Sequence, residues 1–421
     1  MTRICEEESA LGETAHALNR SCLCQTLDET ALRSALEREL DGDALLGDRP
    51  HLFSNVAVFV SRSEIETMGE VVAAIESLTR RPAYIAAALA WAPPIARHDY
   101  GPRGVLMGYD FHLGATGPAL IEVNTNAGGA FLNAALARAQ RVCCEEARIA
   151  PAPAEQFEDA FLAMIEAEWR AQGRAGSPAS VAIVDDDPSA QFLYPEFLLA
   201  ARGLESRGVE CIVTDARDLK FSDGRLSVEG QEIDLVYNRL VDFSLSEAAH
   251  APLRAAYESG ATVVTPNPHA HALFADKRNL TLMSDNALLR AWNVPEADIA
   301  ALAAIPRTRR VTPESAPGLW AERKHWFFKP AHGYGSKAAY RGDKLTQRVW
   351  AEIIAGDYVA QAFAPPGARA ILFDGARQDR KVDVRLYTYD AKIVLAAARL
   401  YQGQTTNLRT PGGGFAPVFV I

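Results

Sequence analysis

A chain of 421 residues is long enough for two or three domains. Its 48% hydrophobic and 23% charged content is ordinary for a soluble globular protein, and a formal net charge of −10 argues against a nucleic-acid groove over most of the surface. No apolar run approaches a membrane span, and Met1–Ser9 is too acidic for a signal or transit peptide, so a cytoplasmic protein with no membrane partner is expected. The six cysteines fit none of the usual zinc or redox spacings. They read as bystander thiols, with a metal or redox role for Cys22 and Cys24 as the alternative.

Residues 1–100 read as mostly helical. Leu27–Leu40 has helical apolar spacing and Asp28 as a cap. Val56–Ser61 is a short buried strand, and Ser63–Leu78 a helix with Ser63 as cap and Glu66 three residues on. Arg80 and Arg81 could meet an acidic substrate or form a solvated charge pair.

Val105–Leu113 and Ala119–Gly129 read as strands joined by Gly114-Ala-Thr-Gly117, a hairpin signal. Closing this hairpin around Ala115–Thr116 brings Asp110 roughly opposite Glu122, while Glu122 and Asn124, two apart, share one face. Facing carboxylates repel, and one is expected to titrate above its usual range unless a cation lies between them. A set of Asp110, Glu122 and Asn124 suits Mg²⁺ held partly by substrate phosphates; the alternative is a surface hairpin with scattered polar residues. Asn126-Ala-Gly-Gly129 then enters the helix Ala130–Arg141. Its free N–H groups could receive a carboxylate or phosphate, or the loop could simply need glycine.

Residues 152–175 read as a helix ending at Gly173–Pro178, the expected domain boundary. Strands at 181–184, 210–214, 235–239 and 262–265 then alternate with helices at 194–207 and 249–259, which argues for a parallel sheet. Asp185–Asp187 invites a metal reading or is ordinary strand-end loop chemistry.

From 270 onward, Ala275–Leu280 opens a helix and Trp326–Pro330 is an apolar strand containing Lys329. The loop 331–337 carries Gly333, Gly335, Ser336 and Lys337. Glycines let backbone N–H groups approach a phosphate, and lysines supply charge, although the spacing is not the Walker pattern and a plain hairpin turn is the alternative. Asp357–Phe363 is a strand. Val382–Tyr389 and Lys392–Leu400 form a hairpin around Asp390-Ala391. Asp383 and Arg385 share a face there: an arginine so placed can neutralise a transferring phosphoryl group, or be an ordinary cross-strand ion pair.

Asp276-Lys277, Phe327-Phe-Lys-Pro330, the loop His332–Lys337, the strand Tyr358–Phe363, Asp383-Val-Arg385, Thr406-Asn-Leu-Arg409 and Glu122-Val-Asn124 together resemble the ATP-grasp superfamily. The resemblance implies that Lys277 and Lys329 contact ATP and that the glycine loop, with His332, Gly333, Gly335, Ser336 and Lys337, closes over its phosphates. It places adenine at the hinge around Gln361–Phe363, Asp383 in the nucleotide site, and Mg²⁺ on Asp110, Glu122 and Asn124. Arg385, Arg399 and Asn407 become the catalytic group. Gln361 stands where many members have glutamate.

In ordinary members the Glu-x-Asn segment comes last. Here it precedes the lysines, and the sequence stops just after Gly412–Gly414, where an ordinary member would continue into the metal hairpin. The order is similar to the circularly permuted glutathionylspermidine synthase-like proteins, and the parallel-sheet region to that of glutathione synthetase and D-alanine–D-alanine ligase. The fold expectation is therefore α/β (α+β). A mostly helical region spans 1–100, with a possible substrate-binding role. The permuted metal hairpin and helix span 101–150, a helix and linker 151–178, a parallel-sheet domain 179–275, and the nucleotide-binding domain 276–421. The implied activity is an ATP- and Mg²⁺-dependent carboxylate–amine ligase using small-molecule acids and amines, through an acyl phosphate. Its alternatives are a carboxylate–thiol ligase, a phosphotransferase, or a non-catalytic ATP-binding regulator.

Overall fold

The computed structural model describes residues 11–40, 49, 51–140, 148–149, 156–333 and 338–421. Its spine is an eight-stranded mixed sheet. Across it run Val58–Val60, Gly414–Val420, Lys392–Tyr401, Ala376–Tyr389, Met107–Gly114 and Gly117–Asn124. Gly367–Phe373 also pairs with Ala376–Tyr389, and Arg148–Ile149 with Gly414–Val420. Val58–Val60 runs parallel to its neighbour, and the other pairings are antiparallel.

The expected hairpin closes as Gly114 opposite Gly117, with Asp110 opposite Glu122. Its first strand, Met107–Gly114, lies inside the sheet and joins the C-terminal half of the chain through Phe111 opposite Val384 and Asp110 opposite Arg385, leaving Gly117–Asn124 at the edge. Residues far apart in sequence thus share one sheet. The second hairpin turns at Asp390 and Ala391, whose φ values of 46° and 64° give the mirror-image turn that suits strand twist. Its first strand begins at Ala376, earlier than the expected Val382, and pairs back with Gly367–Phe373 across Asp374-Gly375.

Helix Glu29–Glu39 is capped by Asp28 as expected, the Asp28 carboxylate accepting from Ala31 N–H at 3.0 Å. The next long helix, Arg62–Leu78, is capped by Ser61 and Glu64, not by Ser63 and Glu66. The chain passes directly from strand Val58–Val60 into this helix. Ser61, still extended, is therefore the residue whose hydroxyl can receive the Glu64 N–H.

After helix Phe157–Ala171, the expected parallel sheet appears in the order Val263–Thr265, Leu235–Asn238, Ser180–Asp185, Glu210–Asp215. A small antiparallel meander, Lys220–Ser222, Arg225–Val228 and Gln231–Glu232, turns at Asp223-Gly224 and Glu229-Gly230. A third sheet orders Thr308–Arg310, Tyr358–Ala362, Trp326–Pro330 and Tyr340–Arg341, all antiparallel.

Two apolar layers flank the central sheet. On one side Met68, Val72 and Ile75 pack with Leu120, Val384, Leu386 and the Leu280–Leu302 helices. On the other, helix Ala130–Arg138 puts Phe131, Leu132 and Leu136 among Phe161, Ile165, Leu235, Tyr237, Leu395 and Phe415. That helix is buried along nearly its whole length because it is wedged between the central and parallel sheets. Its entry turn, Gly128-Gly129, is thereby fixed at their junction. Cys22 packs in a small cluster with Leu18, Phe59 and Phe419. Among the described residues, no helix is long and apolar enough to cross a membrane.

Candidate active site

A cavity of about 610 Å³ opens where the 107–124 hairpin, the 308–362 sheet, the ends of two parallel strands and the 404–408 loop converge. Asp110, Glu122, Asn124, Lys277, Lys329, Gly333, Gln361, Phe363, Arg385 and Arg399 all line it. These residues come from four separated stretches of sequence: sheet pairing joins 107–114 to 376–389, while Lys277 reaches the hairpin through Glu122 and Lys329 through the Ile121 carbonyl.

Asp110 is 1% exposed. Its Oδ1 accepts from Arg385 Nε at 2.6 Å; its Oδ2 accepts from Arg385 Nη2 and Arg399 Nη2, both at 2.8 Å, and from Asn124 Nδ2 at 3.2 Å. Burial pushes this carboxyl up, but the two guanidiniums outweigh burial and hold it well below the usual carboxylate range. Glu122 Oε1 meets Lys277 Nζ at 2.9 Å. Burial pushes Glu122 up too, and Lys277 with Lys329 brings it below its ordinary value. The expectation of one raised carboxyl is therefore corrected: both are lowered, because the fold's own cations stand where the sequence suggested only repulsion.

Lys277 Nζ also donates to the Gly333 carbonyl at 2.9 Å, tying it to the start of the glycine loop. Lys329 Nζ donates to the Ile121 carbonyl at 2.7 Å and to Gln361 Oε1 at 2.9 Å. Burial pulls the Lys329 amine down to about 8 against the opposing attraction of Glu122. Among the described residues Gln361 Nε2 is buried without a hydrogen-bond partner, a donor left over beside the hinge. His112 shares a hydrogen bond of 2.7 Å with the Ala364 carbonyl, just past Phe363, and burial lowers its pKa.

Other expected site residues lie off the wall. Asp383 is fully buried and spends its oxygens on Arg399 Nε and Thr406 Oγ1, both at 2.6 Å. It holds Arg399 in place, as a cross-strand pair. Asn407 is exposed, and its Oδ1 accepts from the Arg409 N–H at 2.9 Å, stabilising a local turn. The His332 ring points to Arg278, with its Nε2 at 2.9 Å from Nη2, and to Asp276 and Asp357. Gly335, Ser336 and Lys337 lie outside the described residues. So do Cys5, Cys143 and Cys144.

The sequence reading missed Arg239, Arg341, Lys344 and Lys381 on the wall. Arg239 carried a usable signal, since it is the last residue of a predicted parallel strand and ligands gather at the carboxyl ends of such strands. With these residues the wall holds eight lysines and arginines against three carboxylates, in a chain of net charge −10. Such a concentration of positive charge suits a polyanion. The hard-oxygen donors also suit Mg²⁺. Asn124 uses its Nδ2 on Asp110, which leaves Oδ1 for a cation beside Glu122, while Asp110 is committed to its arginines. The aspartate run divides its labour: Asp185 lines the cavity, whereas Asp186 binds His250 Nε2 at 2.9 Å. Asp186, Glu247 and His250 offer ligand atoms within 4.8 Å of one another, but Asp242 takes the other His250 nitrogen at 2.9 Å. Burial lowers the His250 pKa, but the two carboxylates outweigh it and raise the pKa above its ordinary value.

No protein-family model matches the chain, and comparison with curated proteins also finds no match. Among solved structures it is similar to a glutathione synthetase-like effector from Globodera pallida, at 12% identity over 92% of this chain and 97% of that one, with a TM-score of 0.57. A γ-glutamylcysteine synthetase-like protein from Methylobacillus flagellatus follows at 10% identity, 84% and 86% coverage and a TM-score of 0.49. The ATP-grasp ligase PsnB, solved with a minimal precursor, Mg and ADP, matches at 17% identity, 56% and 87% coverage and a TM-score of 0.27. The first likeness shows a shared fold, and the α/β architecture expected from the sequence is met at that level; the other two are too distant to add to it.

Proposed function

We propose that the protein is an ATP- and Mg²⁺-dependent carboxylate–amine ligase on a circularly permuted ATP-grasp fold. The observation that carries this reading is the single cavity in which Lys277, Lys329, Arg385 and Arg399 face Glu122 and Asn124. In this reading Lys277 and Lys329 bind the phosphates, and Arg385 and Arg399 balance charge on the group in transfer. Asp110 and Asp383 hold those arginines in their rotamers. Glu122 and Asn124 would hold Mg²⁺, which would supply positive charge to offset that of the phosphates. Adenine would lie along the hinge at Gln361–Phe363, beside the free Gln361 Nε2.

A substrate carboxylate attacks the γ-phosphate, giving an acyl phosphate and ADP, and an amine then displaces the phosphate. The permuted order is supported by the pairing of the 107–114 strand with the 376–389 strand. Titrating the protein with ATP in the presence of Mg²⁺ tests the reading first. Screening pairs of amino acids and small acids for ADP release tests it fully. No nucleotide binding at millimolar ATP would overturn it.

A further inference from the structure

We propose that the end of the cavity facing the parallel sheet binds a zwitterionic α-amino-acid group, with its carboxylate on Arg239 and its ammonium on Asp185. This deepens the ligase reading and rests on it for the reaction, though not for the geometry of binding.

Strands Ser180–Asp185 and Leu235–Asn238 are neighbours, with Val184 opposite Asn238. The Arg239 N–H donates to the Val184 carbonyl at 2.8 Å, so Asp185 and Arg239 leave the sheet side by side at its carboxyl edge. Both line the cavity and both are 7% exposed. Opposite charges so placed would be expected to close on each other. Among the described residues, however, neither has an oppositely charged side chain within 4.0 Å.

Among the described residues Arg239 makes one side-chain hydrogen bond, Nη1 to the Tyr237 hydroxyl at 3.1 Å, and its Nε is buried without a partner. Its guanidinium lies near the rings of Tyr237 and Phe197, at 5.2 and 5.8 Å from their centroids. Glu196, which could have neutralised it, is committed to the backbone N–H groups of Gly129 at 2.6 Å and Phe131 at 3.2 Å. Glu196 and Asp185 keep the buried guanidinium charged from beyond contact distance, and an incoming carboxylate would supply the direct, hydrogen-bonded ion pair that it lacks.

Asp185 mirrors it. Its Oδ1 accepts from the Asp186 N–H at 2.9 Å, and burial raises its carboxyl to about 6 although Arg239 lowers it. An ammonium beside it would restore the charged form. Phe192, Leu193, Phe197 and Val241 give the same end of the cavity an apolar wall for a side chain. A lone anion would satisfy Arg239 and repel Asp185, whereas a group carrying both charges satisfies both.

The test uses the full chain with Mg²⁺ and a non-hydrolysable ATP analogue, titrated with each of the common amino acids. At least one should bind, and its α-amide and N-acetyl forms should each bind about tenfold more weakly or worse, as expected when a hydrogen bond to a charged group is lost. Arg239→Gln should bind the free acid and its amide alike. The ligand comparison on the unaltered protein decides the matter even if that variant fails to fold. Absence of binding by every amino acid, or equal binding of the free, amidated and acetylated forms, overturns the proposal. Nucleotide affinity is measured separately: retained ATP binding without this discrimination sinks the subsite alone, and discrimination without ATP binding sinks the ligase reading alone.

Discussion

Raising the pH from about 7 to about 9 should weaken ATP binding by about tenfold through one side chain, Lys329. Its amine is buried and held by two neutral acceptors, the Ile121 carbonyl and Gln361 Oε1. Burial brings its pKa down to about 8 from the ordinary 10.5. At neutral pH most molecules carry the charge, and at about pH 9 only about one in ten does. Phosphate oxygens favour the charged form, so ATP binding above pH 8 must take up a proton.

The effect on stability has the opposite sign. Between about 8 and 10.5 the unfolded chain holds a proton that the folded chain has released, so folding becomes more favourable as pH rises through that window. Below it, keeping the amine charged costs the fold about 3 kcal/mol. General alkaline unfolding would move affinity and stability in the same direction; this mechanism moves them apart. Calorimetric titration in buffers of different ionisation enthalpy reads both affinity and proton uptake. Lys329→Gln should bind more weakly at neutral pH and lose the pH dependence. Wild-type affinity that stays flat from pH 7 to 9, with no proton uptake, would refute the assignment of Lys329 to the phosphates.

Glu122→Gln should keep the fold, lose ADP formation and abolish the Mg²⁺-dependent gain in nucleotide affinity; an identical Mg²⁺-dependent melting shift in both proteins would show that Glu122 is not a ligand. Arg399→Met leaves Asp383 without its guanidinium and Asp110 with one instead of two, and urea titration should show a loss of about 3–5 kcal/mol. A loss below about 1 kcal/mol would mean that these pairs behave like exposed ones. Asp110→Asn should flatten the acid limb of the stability curve. Its carboxyl is held low in the fold, so its contribution is complete above the unfolded-state pKa and disappears as pH falls toward the depressed folded value. An unchanged acid limb in that variant would contradict the clamp.

How much of this was legible depended on how local each signal was. Gly114 and Gly117 flanking a short loop specify the hairpin and its register as far as Phe111 opposite Leu120, but continuing that register would set Asp110 against Ile121; a register shift between Asp110 and Phe111, which spacing does not reveal, brings Asp110 opposite Glu122. The alternation of strands and helices from 180 to 265 is equally local, and it yields the parallel sheet. The strand Ala376–Tyr389 was hidden in its first half because Arg377–Lys381 is nearly all polar, yet Asp374-Gly375 is a turn signal that could have revealed it and Gly367–Phe373 together. Likewise Asp223-Gly224 and Glu229-Gly230 mark the missed meander. Ser61 lost to Ser63 as the expected cap because the strand before the helix ends without a linker, which spacing alone does not reveal. Arg341, Lys344 and Lys381 carry no such local signal; only the tertiary fold brings them to the cavity.

The carboxylate pair shows what a sequence cannot supply. Within the hairpin, the one charged group that Asp110 faces is Glu122, and the neutral Asn124 amide cannot cancel their repulsion, so a bound cation is the remedy the hairpin alone suggests. The sheet adds two strands. Register places Arg385 opposite Asp110, and Asp383 opposite Arg399 on the strand beyond. Charges therefore alternate across three adjacent strands, and Asp110 receives two guanidiniums before any ion arrives. A metal bound here would share Glu122 and Asn124, not Asp110, as its open donors. Glu122 in turn touches Lys277, which also holds Gly333 at the mouth of the glycine loop. An ion that draws Glu122 away from Lys277 would free that lysine for a phosphate. Metal and nucleotide binding should on this geometry favour each other, because each takes a partner that the other releases.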